Sequence, residues 1–375
     1  MIRCFVITRF SRALILAALL APGAAAGQAS PGPTLSIEEY DPKSTLVVPE
    51  HRVPRARFPF VDVHNHQETA ARPEDIDRIV RDMDAMNMRV MVNLSGGSSD
   101  ALAAGVANWS GRHPGRFVTF ANLDFSGIDD AAWGERAAAQ FERDVRKGGA
   151  KGLKIFKNFG LTVKDRAGRR VAVDDPRLDA VFEKCADLKV PVLIHTGEPR
   201  SFFEPQDAHN ERWLELKQFP QRARPPDRFP TWDQVMGEQH RLFSRHPRTQ
   251  FIDAHLGWLG GDLAALGKLL DRLPNVTTEI GAVLAELGRQ PRFAREWFVR
   301  YQERVMMGKD TWAPEEYPVY FRVLETSDEY FDYYRRRHAF WKMYGLDLPD
   351  DVLKKLYYRN ALRVIPGIDP SPFPK

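Results

Sequence analysis

The sequence predicts an α/β protein of the (β/α)8 TIM-barrel class, with an N-terminal arm and long loops after strands 5 and 8. Two observations predict it. Eight short β-branched or apolar runs, at 60–63, 90–94, 117–123, 152–156, 192–194, 251–254, 276–280 and 305–307, alternate in one direction with longer helical patterns. Strand, helix, strand in that order implies parallel pairing through crossovers, and eight such units are what closing a barrel needs. An open doubly wound sheet remains compatible with the same alternation, but no GxGxxG follows the first run, and the count of eight favours closure.

The first residues read as a targeting segment. Arg3, Arg9 and Arg12 precede the apolar run 13–21, and Ala24, Ala25 and Ala26 follow, the order of a secretory signal (1–26) with cleavage expected near Ala26. An uncleaved anchor is the alternative. Without the three arginines the net charge falls from +4 to 4 − 3 = +1. A near-neutral chain with interleaved charges offers no footprint for nucleic acid or an anionic membrane. No later stretch is apolar enough for stable membrane insertion, so an exported protein, periplasmic or secreted, is expected. Cys4 leaves with the signal, which makes Cys185 the only remaining thiol and a disulfide within the chain impossible. Cys185 lies in a helical pattern, FEKCADL, and is read as a buried apolar residue.

Residues 27–58 are polar and punctuated by proline, and are read as an arm lying over the barrel, which spans 59–368; a short tail, 369–375, ends the chain. Helices between the strands are predicted from apolar residues at three and four spacing. Ile76, Ile79, Val80 and Met83 form one such stripe, and Leu263, Leu266, Leu269 and Leu270 another. Two connections are long and aromatic, 199–230 and 307–349, and loops of that kind at the carboxyl ends of barrel strands shape active-site mouths. They are expected to form a lid. Padding of the surface or a subunit contact is the alternative.

The chemistry collects at the strand ends. His64 and His66, in FVDVHNHQ, are two apart and in extended backbone point to one side. Alone they are equally consistent with a buried, satisfied pair. The fifth strand, however, ends IHTGEP, the sixth DAHLGW and the eighth MGKDTW, so His195, His255 and Asp310 join them. Five metal-competent side chains at four strand ends, in a chain of ten histidines, point to a shared cation. His113 and His246 each stand in an RHP at a helix end, and His51, His209, His240 and His338 are read as surface or loop residues.

Together DVHNHQ, the lysine of GLKIF, IHTGEP, DAHLGW and the eighth-strand aspartate resemble the amidohydrolase superfamily, in its amidohydrolase-related branch of decarboxylases and lactone hydrolases. The resemblance covers roughly 60–366 and implies one metal ion, usually zinc, held by His64, His66, His195 and Asp310. Another divalent ion can replace zinc. His255 then stays off the metal and handles water or substrate, and Asp310 takes a proton. Lys154 occupies the place that, in other branches, carries a carbamate bridging two metals; alternation puts it on the inner face, where an unmodified amine orients a substrate carboxylate or carbonyl. Both readings stay open.

The implied activity is hydrolysis of an amide, lactone or ester of a small molecule by activated water. Non-oxidative decarboxylation in the same site is the alternative, and a catalytically inactive ligand-binding barrel the second. The pattern departs from the family at Lys309, which replaces the usual threonine and is expected to add positive charge to the rim. Trp258, Trp312, Lys309 and Phe202 are candidate substrate contacts, with Phe203 and Trp213 near the mouth. Glu279 is read either as a partner of the metal ligands or as a satisfied interior carboxylate. Barrels of this branch are often homodimers.

Overall fold

In the computed structural model, which describes residues 35–375, eight parallel strands follow one another around a cylinder. They are β1 (Phe60–Asn65), β2 (Met88–Asn93), β3 (Phe117–Thr119 continued by Ala121–Asn122), β4 (Leu153–Ile155), β5 (Val192–Ile194), β6 (Phe251–Asp253), β7 (Val276–Glu279) and β8 (Val305–Met306). The segment read as a secretory signal lies outside the described residues.

Strand β3 is interrupted at Phe120, and its halves serve different neighbours: Phe117–Thr119 pairs with β2, Ala121–Asn122 with β4. The break is bridged by Phe120 N donating to Asn93 O and Ala121 N donating to Gly152 O, each at 2.9 Å. The last strand returns to the first. Val63 N donates to Met307 O at 2.9 Å and Asp310 N to His64 O at 2.6 Å, so backbone hydrogen bonds close the barrel at the rim where the chemistry sits. The eighth strand is one residue shorter than the run expected from sequence, because Met307 N turns away to Leu356 O.

Burial on both faces explains why the strands read as near-continuous apolar runs: β1, β4, β5, β6, β7 and β8 are buried throughout. The helical stripes bury as their spacing requires. Helix α1 (Pro73–Met86) turns Ile76, Ile79, Val80 and Met83 inward, starts with proline in its first turn and stops at Asn87 in a left-handed cap. The later helix Leu263–Arg272 buries Leu263, Leu266, Leu269 and Leu270, and Asp262 caps it by accepting from Ala265 N at 3.0 Å. Cys185 is buried and free, and burial pushes its thiol pKa up.

Residues 35–45 belong to a unit of their own, in which Ser36 N and Oγ both donate to Glu39. From Leu46 onward the chain forms one unit with the barrel. Arg57 N donates to Glu325 Oε1 and His51 N to Asp328 Oδ2, tying 46–58 to the segment after β8. At the other end Phe373 stacks on Tyr358 with ring centroids 5.2 Å apart.

The connection after β8 is less irregular than its sequence suggests: it holds the helix Tyr317–Glu325 and a small antiparallel ribbon, Phe331–Asp332 with Lys342–Met343. It packs against the loop after β5 through charged and aromatic groups. Arg212 lies over Trp341 at 5.6 Å, Arg337 over Phe219 at 5.6 Å, and His338 Nε2 is 3.4 Å from Glu215 Oε1. His338 is therefore buried between the loops, not at the surface, and His246 is buried between Asp179 and Glu183. His246 does stand at a helix end, capping Trp232–Arg245, and both its ring nitrogens have carboxylate partners, whereas neither ring nitrogen of His338 has a hydrogen-bond partner among the described residues. Among the described residues no helix is long and apolar enough to cross a membrane.

Candidate metal centre

The four imidazoles and one carboxylate picked out by sequence meet at the carboxyl end of the barrel. His64 Nε2 lies 3.3 Å from Asp310 Oδ1, and His66 Nε2 lies 3.6 Å from the same oxygen. His195 Nδ1 is 3.2 Å from His255 Nε2, and the rings of His64 and His255 are 4.8 Å apart. Among the described residues His64, His255 and Asp310 form a group of three donors whose ligand atoms lie within 4.8 Å of one another. The grouping thus includes His255, which sequence had placed off the metal, and omits His66 and His195, both of which it had placed on it.

Three of the four rings are oriented from behind, while His195 Nε2 is buried with no hydrogen-bond partner among the described residues. Glu279 Oε1 accepts from His64 Nδ1 at 2.9 Å and from His255 N at 2.7 Å, while its Oε2 accepts from Gly281 N at 2.5 Å. His255 Nδ1 donates to Gly281 O at 2.7 Å, and His66 Nδ1 meets Ser95 Oγ at 2.8 Å. Glu279 is thus a partner of the site, the first of its two sequence readings. It reaches His64 only because Gly308 stands beside it: a Cβ there would lie 2.2 Å from Glu279 Oε2. Asp62 does the same for the strands. It accepts from His64 N at 3.0 Å, from Lys309 N at 3.1 Å and from Tyr317 OH at 2.6 Å, stitching β1 to the end of β8. Sequence reasoning passed over Asp62, although a carboxylate two residues before His64 in an apolar run was a signal.

Burial holds His64 well below the ordinary imidazole pKa and His66 at about 4, with nearby Lys154 adding to both, and burial also lowers His195. For Asp310 burial acts upward, but the surrounding imidazoles and Lys154 outweigh it and hold the group at about 2. At neutral pH His64, His66 and His195 are therefore neutral imidazoles beside one carboxylate, the protonation state in which a divalent cation is bound. With its Nδ1 proton given to Glu279, a neutral His64 turns the Nε2 lone pair toward the Asp310 oxygen. Two acceptors 3.3 Å apart repel unless a positive charge sits between them, so the residues fit a cation.

Lys154 is buried on the inner face, its Nζ 3.3 Å from His64 Nε2, and burial lowers its pKa to about 7. His255, Leu256, Gly257 and Trp258 all take left-handed backbone angles, with φ of 59°, 54°, 57° and 53°. Such a run costs about 1–2 kcal/mol per non-glycine residue. The hydrogen bonds from His255 to Glu279 and Gly281 hold it, and it lays Trp258 on His255 with ring centroids 4.6 Å apart.

The other candidate contacts separate. Trp258 also lies 5.6 Å from His195, and half-buried Trp312 packs 5.9 Å from Tyr317. Lys309 is fully buried and ion-paired to Glu316, with its Nζ also donating to Thr311 O, so it contributes no free charge to the rim. Phe202 is buried with Leu216 and Ala223 inside the loop after β5, beneath Arg212 and Arg222, and so is not open to a substrate. Half-buried Phe203 packs on that cluster, and Trp213 is exposed beside Lys217.

The sequence profile of the amidohydrolase family matches residues 47–367. No curated protein matches the chain. Among solved structures, one from Staphylococcus aureus assigned as an amidohydrolase is 16% identical, covers 82% of this chain and 99% of its own, and gives a TM-score of 0.50. A dihydroxybenzoic acid decarboxylase from Polaromonas sp. JS666, with bound manganese and the inhibitor 2-nitroresorcinol, is 15% identical, covers 82% and 96%, and also gives 0.50. A 4-oxalomesaconate hydratase from Rhodopseudomonas palustris is 12% identical, covers 83% and 97%, and gives 0.48.

Proposed function

The chain belongs to the amidohydrolase family, whose enzymes are metal-dependent, and from that premise we propose that it hydrolyses an amide, lactone or ester bond of a small molecule. One observation carries the reading: a carboxylate oxygen and imidazole nitrogens whose protons are committed elsewhere converge on one point in the barrel mouth. A divalent ion there supplies Lewis acidity and lowers the pKa of water toward about 7. Zinc is the ion we assign, because nitrogen donors suit it and it competes well against weaker-binding metals.

The ligand set proposed is His64, His66, His195 and Asp310, with His255 as a proton-transfer residue. Its backing sets its direction. Since Nδ1 donates to Gly281 O, Nε2 is the nitrogen left to accept a proton. Asp310 and His255 together take the proton that water loses as its oxygen bonds to the carbonyl carbon. The bond to the leaving nitrogen or oxygen then breaks, and the proton passes to the leaving atom. Lys154 donates from the floor of the site toward the substrate carbonyl or carboxylate.

Incubation of the zinc form with lactones, N-acyl amino acids and hydroxybenzoates tests this. Ring opening or acyl cleavage supports it. Carbon dioxide release from hydroxybenzoates without acyl cleavage would overturn it in favour of the decarboxylase chemistry named for the Polaromonas protein. We also propose export: the exported protein should begin near Gly27 on N-terminal sequencing, and a mature chain beginning at Met1 would contradict this.

A further inference from the structure

A cavity of about 450 Å³ opens beside the metal centre, between the loops that follow β5, β6 and β7. Trp258 joins the two: its indole stacks on His255 and also lines the cavity. Pro199, four residues beyond His195, forms part of another wall. We infer that this cavity receives the part of the substrate remote from the scissile bond, and that it takes a flat group that is neutral or cationic and rejects an anionic one. The inference deepens the hydrolase reading and rests on it.

Shape and charge both argue for that class. Trp258 and Trp232 supply aromatic surface for a flat group, and Trp258, which stacks on His255 and lies 5.6 Å from His195, sets that group one indole away from the imidazoles. The charged groups lining the cavity are Glu204, Glu211, Glu286 and Asp262 against Arg200 and Arg212, leaving His209 aside. Both guanidinium groups are already engaged. Arg200 pairs with Glu204 at 3.2 Å and lies over Trp232, and Arg212 pairs with Glu215 at 2.6 Å and with Glu286 at 3.3 Å. Glu211 is in turn paired with Arg289, but Glu286 Oε2 is buried with no hydrogen-bond partner among the described residues, so the lining offers an acceptor while no guanidinium stands ready for an incoming anion. A partly desolvated pocket of that kind penalises an anionic ring and favours an ammonium.

Two positions allow the cavity to be filled without touching the proposed ligands. Gly261 lines it, has ordinary backbone angles, and a Cβ added there meets no atom within 4 Å. Ala265 lines it from the helix Leu263–Arg272.

The test is a ligand-observed NMR titration of the full zinc-loaded chain with benzylammonium, benzyl alcohol and phenylmethanesulfonate, repeated on Gly261→Leu and Ala265→Phe. Benzylammonium should bind most tightly, benzyl alcohol next, and phenylmethanesulfonate at least about tenfold more weakly than benzylammonium. Either filled variant that keeps the wild-type circular dichroism should lose benzylammonium binding by about tenfold or more while retaining its zinc. The inference fails if the sulfonate binds as well as the ammonium, if no probe binds the wild type, or if filling leaves binding unchanged. These outcomes are read without turnover, so they are separate from a failure of the hydrolase reading, which shows in the acyl-cleavage assay.

Discussion

Glu279 and His64 are locked to each other in a fully buried contact, with His64 Nδ1 donating to Glu279 Oε1 at 2.9 Å and neither side chain exposed. The contact fixes which nitrogen of His64 faces Asp310. Partners of this kind orient a metal-binding ring and raise its basicity, and their loss typically costs about 10–100-fold in metal affinity. Glu279→Gln should weaken zinc binding by about that factor in a chelator competition. An unchanged affinity would show that His64 holds its orientation without the carboxylate.

The division of labour between His195 and His255 is testable directly. His195→Ala should lose both metal and activity. His255→Asn should keep the metal and lose turnover by about 10²–10⁴-fold, the usual worth of a general base. Because His255 also falls in the tight group with His64 and Asp310, an emptied His255→Asn site would move it from proton transfer to coordination.

The left-handed turn is a third target. At Gly257 φ is 57°, and an added Cβ would lie 2.3 Å from Asp253 Oδ2. Gly257→Ala must therefore displace either the buried Asp253 carboxylate or the turn that carries His255 and Trp258, and the expected outcome is a shift of the turn. Misplacement by about 1 Å can cost about 10²-fold in rate, so kcat should fall by that order with zinc content retained. A kcat equal to wild type would mean the turn is free to relax.

Within the loop after β5, Arg212 Nε donates to Glu215 Oε2 at 2.6 Å, and Arg222 Nη1 lies 2.6 Å from Glu215 Oε1, with Glu215 fully buried. Removing one partner of a buried pair leaves the other uncompensated, at about 3–5 kcal/mol. Glu215→Ala should lower stability to chemical denaturation by about that amount. Loss of less than about 1 kcal/mol would show that this loop is held by its aromatic contacts instead, such as Arg212 and Arg222 over Phe202.

Much of this architecture was legible in the sequence, because barrel strands buried on both faces announce themselves as apolar runs and the helices bury stripes at fixed spacing. His64, His66, His195, His255 and Asp310 were found because strand ends are where a barrel gathers its chemistry. What escaped depends on direction and partners, not on position. Lys309 looked like a rim charge, but its side chain turns into the protein where Glu316 neutralises it. Phe202 looked like a mouth aromatic, but Arg212 and Arg222 close over it. His338 looked like a loop residue, yet the neighbouring loop brings Glu215 to it across more than a hundred residues of sequence. Asp62 and Glu279 were hard to read for the same reason, since their partners lie on other strands.

The most direct test of the account is metal stoichiometry, measured by inductively coupled plasma mass spectrometry on zinc-reconstituted, dialysed protein. Wild type should hold about one equivalent of zinc, and His64→Ala and Asp310→Ala, with unchanged circular dichroism, less than about a tenth. A wild-type chain that retains no more metal than these variants would contradict the claim that the histidines and Asp310 converge to bind an ion.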